Sequence, residues 1–226
     1  MSSALVLGGA LLLSLALLAA ALALFAVYIR RRVEATVPPL GRFVQVGDTR
    51  LHIVEQGTGP ALLLVHGLGA QLRNFTYALT ARLAADFRVV CVDRPGCGYS
   101  TRPAHVPASL PGQAATIAGL IATLGLDRPI IVGHSYGGAV ALALTLNHPT
   151  AVGGLALLAP LTHAQDAAPP AFRDLVIQSR FLRKLVSWTL AVPFSMHGLA
   201  LAAASAAAAS SSSSPPLDRP RSGMER

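Results

Sequence analysis

This 226-residue sequence predicts an α/β fold: a mostly parallel sheet covered by helices on both faces, behind a helix able to cross a membrane. Three observations carry that expectation. Short apolar, β-branched runs alternate with helical patterns from about residue 43 to 161, the order of a parallel sheet. One of those runs, Pro129–Val132, turns straight into a helical stretch through Gly133-His134-Ser135-Tyr136-Gly137. The chain opens with an uncharged run from Ala4 to Ile29, longer than the roughly 20 residues a helix needs to span the hydrocarbon layer.

Arg30-Arg31-Arg32 close the first run, and Tyr28 sits where an interfacial aromatic belongs. Met1-Ser2-Ser3 carries no basic side chain and the apolar run exceeds a usual signal core, so residues 1–33 read as an uncleaved single-pass membrane anchor. The positive-inside rule then places the following domain in the cytoplasm. A composition of 53% hydrophobic and 12% charged residues fits a membrane segment. The net charge of +8 is almost wholly arginine, with Lys184 the only lysine. The arginines are scattered singly apart from the triple, which is no nucleic-acid footprint, so no nucleic-acid partner is expected. Cys91 lies in an apolar strand and Cys97 in the loop after it; both read as free thiols. No Cys/His cluster has zinc spacing.

Residues 34–41, with Pro38-Pro39, form a stiff linker. Phe43–Val46 and Leu51–Val54 alternate at period two around Gly47-Asp48, the pattern of a hairpin. Ala61–Val65 is a continuous apolar run, the mark of a strand buried on both faces, and Phe87–Val92 reads as the next buried strand. Between them Asn74–Ala85 reads as one helix, with Phe75, Leu79 and Leu83 at four-residue spacing. Leu110–Leu124 gives a further helix, and Ala139 to about Asn147 another, stopped by His148-Pro149. Val152–Leu158 is the last apolar strand.

A strand that turns directly into a helix holds its corner residue in a strained conformation, and only small neighbours let the backbones pass. Ser135 occupies that corner between Gly133 and Gly137, its hydroxyl raised above the strand end with a helix N-terminus aimed at it. This is a nucleophile elbow. With His66-Gly67-Leu68-Gly69 and Asp93-Arg-Pro-Gly-Cys-Gly-Tyr-Ser100 in the same order, residues from about 43 to 161 resemble the first six strands of the α/β-hydrolase fold.

The resemblance implies a serine hydrolase that works through an acyl-enzyme on Ser135, on a small-molecule acyl substrate such as an ester, without a cofactor or metal. Serine at that position sets the chain apart from the haloalkane dehalogenase and epoxide hydrolase branches, which carry aspartate there. The oxyanion donors it implies are the backbone N–H of Tyr136 and one from the loop after His66-Gly67, with Leu68 favoured and Gly69 as the alternative. His66 and His134 read as loop-holding residues and Asp93 as a loop-fixing carboxylate, supporting the motif with Gly67, Gly69, Gly133 and Gly137.

The family's order is serine, acid, histidine. Past Ser135 the sequence does not read as the two further strands that carry the last two. Asp166 and Asp174 are the acid candidates, and His163 and His197 the histidines. Residues 42–168 read as an incomplete hydrolase core and 169–201 as cap-like helices. Residues 202–226, a run of alanine and serine followed by a proline-rich polar stretch, read as a disordered tail. Leu185–Ala209 is uncharged, but Pro193, His197 and Gly198 dilute its apolar signal, so cap helices are preferred to a second span. The alternative to an enzyme is an anchored fragment, silent or weakly active for want of the acid and histidine.

Overall fold

The structure is a computed structural model that describes residues 3–163, together with 177, 179, 181, 182, 185 and 186. The chain divides into two compact units, one holding residues 1–37 and 167–226, the other Pro38–Asp166.

In the first unit, helix α1 covers Ser3–Thr36. Its stretch Val6–Thr36, with mean hydropathy 2.7, is long and apolar enough to cross a membrane. The Ser14 hydroxyl donates to Ala10 O, so this polar side chain is satisfied inside the helix. The helix runs on past the triple arginine into the expected linker. Arg30 and Glu34 pair one turn apart at 2.7 Å, and Thr36 donates to Arg32 O. Pro38-Pro39 then denies any continuation.

The second unit is the expected α/β fold. Strands β1 (Arg42–Val46) and β2 (Thr49–Gln56) form the predicted hairpin. Its two-residue turn places Gly47 at φ 53°, a conformation glycine takes at no steric cost. Then come β3 (Ala61–Val65), two short helices α2 (Arg73–Thr76) and α3 (Leu79–Leu83), and β4 (Arg88–Val92). Helix α4 (Leu110–Thr123), β5 (Ile130–His134), α5 (Tyr136–Asn147), a 3-10 turn (Pro149–Ala151) and β6 (Gly154–Leu158) complete it. The strands lie in the order β1-β2-β4-β3-β5-β6. β2 is antiparallel to β1 and β4, whereas β3, β4, β5 and β6 run parallel.

The central strands are apolar where both faces are covered, with polar side chains only at Arg88, the start of β4, and His134, the end of β5. Leu63 and Val65 of β3 pack with Ile117 and Leu120 of α4 and Val140 and Leu144 of α5. Leu62 and Leu64 face the other way, against Leu72 and Phe75. Helix α4 starts on Ser109, whose hydroxyl accepts from Gly112 N–H, and stops at Gly125, with Leu126 N–H bonded to Ile121 O.

Two boundaries differ from the pattern. The single helix expected over Asn74–Ala85 is broken at Tyr77 and Ala78, where Ala78 takes φ −142° and Tyr77 is 94% exposed. The two pieces are drawn to different anchors: Leu72 N–H donates to the Asp93 carboxylate, and the Thr80 hydroxyl meets the Cys91 thiol of β4 at 3.2 Å. Strand β6 begins two residues after Val152, since Gly153 is taken up by a bond from its N–H to Pro129 O. Of the expected cap-like helices only residues 177, 179, 181, 182, 185 and 186 are described, and the expected tail lies outside the described residues.

Candidate active site

The C-terminal ends of β3, β4 and β5 meet at Ser135. A residue between a parallel strand and a helix cannot keep extended φ/ψ, and Ser135 sits at φ 52°, ψ −119°. Such strain persists only where neighbours fix it. Ser135 N–H donates to Leu158 O at 3.0 Å, and its carbonyl accepts from Gly138 N–H and from Leu161 N–H. The end of β6 and the turn through Ala159 (φ 43°) therefore clamp the corner from outside. A methyl group at Gly137 would overlap Val65 O, and one at Gly133 would lie 2.7 Å from Gly137 O. Helix α5 consequently starts directly beyond a half-buried Ser135, whose carbonyl takes the Gly138 N–H of its first turn.

The loop after β3 lies against the same corner: a Gly67 methyl would stand 3.0 Å from Ser135 Cβ and 3.2 Å from His134 Nδ1. His66 is fully buried. Its Nε2 accepts the backbone N–H of Arg94 at 3.0 Å, so Nδ1 carries the proton and donates to Gly67 O at 2.9 Å. Burial, reinforced by the nearby Arg94 guanidinium, pushes the His66 pKa down to about 4, which keeps that single tautomer. Leu68 is 57% exposed and Gly69 takes φ 66°. The His134 ring makes no hydrogen bond among the described residues and packs beside Gly67.

The depressed His66 pKa has a consequence for acid stability. Between pH 6.5 and 4 the unfolded chain takes up a proton that folded His66 refuses, so this contribution is complete above pH 6.5. It is lost as pH falls toward 4, about 3 kcal/mol in all. Denaturant midpoints measured from pH 7.5 to 4.5 should fall for the wild type with an added slope near one proton, absent in His66→Asn. Identical slopes in the two proteins would contradict this.

Asp93, completely buried, fixes the loop after β4. Its Oδ1 accepts Leu72 N–H at 2.8 Å, and its Oδ2 accepts Tyr99 N–H at 3.0 Å and meets His52 Nδ1 at 2.8 Å. His52 Nε2 faces Leu40 O, and Ser100 Oγ bridges His52 N–H to Asp93 O. Next to it Arg94 is only 3% exposed. Its guanidinium donates to His66 O (2.9 Å), Gly67 O (3.0 Å) and Gln113 Oε1 (2.8 Å), and lies 4.9 Å above the Tyr136 ring.

Sequence reasoning missed His52, Arg94 and Gln113. A histidine between the apolar Leu51 and Ile53, and an arginine directly after a buried parallel strand, were the available signals. Of the triad candidates, His163 is exposed, with Nδ1 2.8 Å from the Thr162 hydroxyl. Asp166, Asp174 and His197 lie outside the described residues. Cys91 and Cys97 are both free, and burial raises the Cys91 thiol to about 11.

Comparison with known proteins identifies the family. A family model described as alpha/beta hydrolase fold matches residues 60–207. The chain is 38% identical over 121 residues to a fluoroacetate dehalogenase from Burkholderia sp., covering 52% of this chain and 40% of that one. It is 31% identical over 168 residues to a 2-hydroxymuconate semialdehyde hydrolase from Pseudomonas sp. strain CF600, covering 68% and 59%. Among solved structures it is similar to a membrane phospholipase A, with TM-score 0.54 and 30% identity over 77% of this chain and 57% of that one. The chain spans about half the length of the curated relatives it matches. It belongs to the α/β-hydrolase fold family.

Proposed function

We infer that the chain is a membrane-anchored serine hydrolase that cleaves a small or acyl-type ester through an acyl-enzyme on Ser135. The observation that carries this reading is the strained Ser135, held between β5 and α5 with the loop after β3 against it. In the first step Ser135 Oγ bonds to the ester carbonyl carbon and loses its proton to a histidine base. The carbonyl oxygen takes the negative charge, facing the N–H groups of Leu68 and Tyr136. Collapse breaks the ester C–O bond, and the alcohol leaves with the proton. Water then releases the acid by the same route. The candidates for base and acid are His163 or His197 and Asp166 or Asp174, of which only His163 is among the described residues. Similarity to a membrane phospholipase A and to a semialdehyde hydrolase supports hydrolytic chemistry. Serine in place of aspartate separates the chain from the dehalogenase route.

The anchor is α1, with Arg30-Arg31-Arg32 holding the domain on the cytoplasmic side. A fluorophosphonate should label the full chain at Ser135, and Ser135→Ala should abolish the label. In intact cells a membrane-permeant probe should label and an impermeant one should not. Labelling by the impermeant probe would overturn the orientation alone. No adduct on the folded wild type would leave the silent fragment as the reading.

A further inference from the structure

The peptide group joining Gly67 to Leu68 has its carbonyl held twice. His66 Nδ1–H and Arg94 Nη2–H both donate to Gly67 O, at 2.9 and 3.0 Å, and Arg94 Nε–H holds the preceding carbonyl, His66 O, at 2.9 Å. None of the described peptide bonds is cis, so the N–H of Leu68 must point away from Gly67 O. Pinning the carbonyl toward Arg94 therefore aims that N–H the other way. The loop carrying it lies against Ser135, where a Gly67 methyl would come within 3.0 Å of Ser135 Cβ.

Arg94 is itself unusual. It is buried at 3% exposure and forms no ion pair among the described residues: its donors go to two carbonyls and the Gln113 amide, and its face to Tyr136. A buried cation left without a carboxylate is costly, and a structural tie between loops could have been made by a neutral side chain. Its charge does something a neutral tie cannot. Hydrogen bonding to a carbonyl polarises the whole peptide and strengthens its N–H as a donor, more so when the partner is charged and the surroundings are dry. Tyr136, whose own N–H begins α5, stacks its ring against the guanidinium, so Arg94 touches the loop that carries Leu68 and the side chain of the residue expected to supply the second donor.

We propose that Arg94, aimed by Gln113 and assisted by His66, is the positioning residue of the oxyanion site, orienting and polarising the Gly67–Leu68 peptide so that Leu68 N–H serves the developing oxyanion. This rests on the serine-hydrolase reading above, and it separates Leu68 from Gly69, which sequence alone leaves as alternatives.

The test uses the full chain in detergent micelles, with an aryl fluorophosphonate as probe. Thermal unfolding reports folding, and the concentration dependence of labelling separates the maximal rate from half-saturation. Losing a whole oxyanion donor costs about 10²–10³ in rate. Arg94→Met, which removes charge and donors, should label about a hundredfold more slowly at its maximal rate, and Arg94→Lys, which keeps the charge, about tenfold. Half-saturation should stay within about threefold of the wild type in both. Folded variants labelling within twofold of the wild type would overturn the proposal, as would a loss confined to half-saturation. Loss of cooperative unfolding in both variants would make Arg94 structural and overturn it equally. If the wild type itself takes no label, the nucleophile reading falls, whereas equal labelling of wild type and variants removes only the role of Arg94.

Discussion

Replacing Gly137 by alanine is expected to reduce fluorophosphonate labelling at least a hundredfold and to lower the unfolding temperature by several degrees. The added methyl would overlap Val65 O and lie 2.6 Å from His66 O, both backbone atoms of the strand end that carries the loop beside Ser135. A side chain can rotate away from an intruding methyl, but the carbonyl of a central parallel strand cannot. Val65 is paired on both sides, with Val92 of β4 and Gly133 of β5. Helix α5 must therefore retreat, taking Tyr136 N–H and the Ser135 corner with it. Overpacking of this kind costs about 1–3 kcal/mol, which for a chain of this size is a fall of about 2–12 °C. The activity loss is larger, because a misplacement of about 1 Å at the reacting centre costs on the order of 10²-fold. Gly154→Ala is the control. Its methyl meets nothing closer than Ile130 Cγ1 at 3.4 Å, so rate and unfolding temperature should both hold. Equal behaviour of the two variants would mean that the corner is not fixed by close backbone approach.

The same corner shows why part of this molecule was legible from sequence. Glycines at 133 and 137 around a serine, after an apolar run and before a helical one, read as a tight strand-to-helix corner, and the structure forms it. The hairpin was plain from its period-two alternation, and the parallel strands from runs made mostly of apolar residues, as burial on both faces requires. What stayed hidden depends on partners distant in the chain. The helix expected over Asn74–Ala85 has the right spacing, yet Asp93 and Cys91 pull its two halves to separate anchors, and neither tie leaves a local pattern. The clamp on Ser135 comes from backbone atoms of Leu158 and Leu161, which carry no side-chain signature at all.

Arg94 is the clearest such case. In the sequence it stands inside the Asp93–Ser100 motif with no role assigned to it. Its meaning comes only from its surroundings, which β3, α4 and α5 supply: His66 and Gly67 from the first, Gln113 from the second, Tyr136 from the third. The positive balance of the chain is thus not all surface. A charge that looks like solubility in the sequence is, in the fold, a buried group holding the loop that packs against Ser135.

Asp93→Ala should be the most destabilising single change in the domain. The carboxylate is fully buried and accepts from Leu72 N–H and Tyr99 N–H while facing His52 Nδ1, so it ties together the start of α2, the loop after β4 and strand β2. Removing it strands three polar groups in a site closed to water. Losing a hydrogen bond to a buried carboxylate costs about 1.5–3 kcal/mol. An orphaned buried N–H adds about 1–3 kcal/mol wherever relaxation does not re-pair it. Set against a total stability of about 5–15 kcal/mol, the loss consumes most or all of the margin. The expected result is a fall in unfolding temperature of at least 10 °C, or no cooperative transition. Asp93→Asn separates the causes: its amide oxygen can still accept on one side, but its NH₂ must face at least one of the donors, so it should fall between wild type and Asp93→Ala. The loop from Asp93 to Ser100 also carries Arg94, so both variants should slow Ser135 labelling beyond what unfolding explains. An alanine variant that melts within about 3 °C of the wild type would show that solvent replaces the carboxylate, and that the loop after β4 is held by something other than this network.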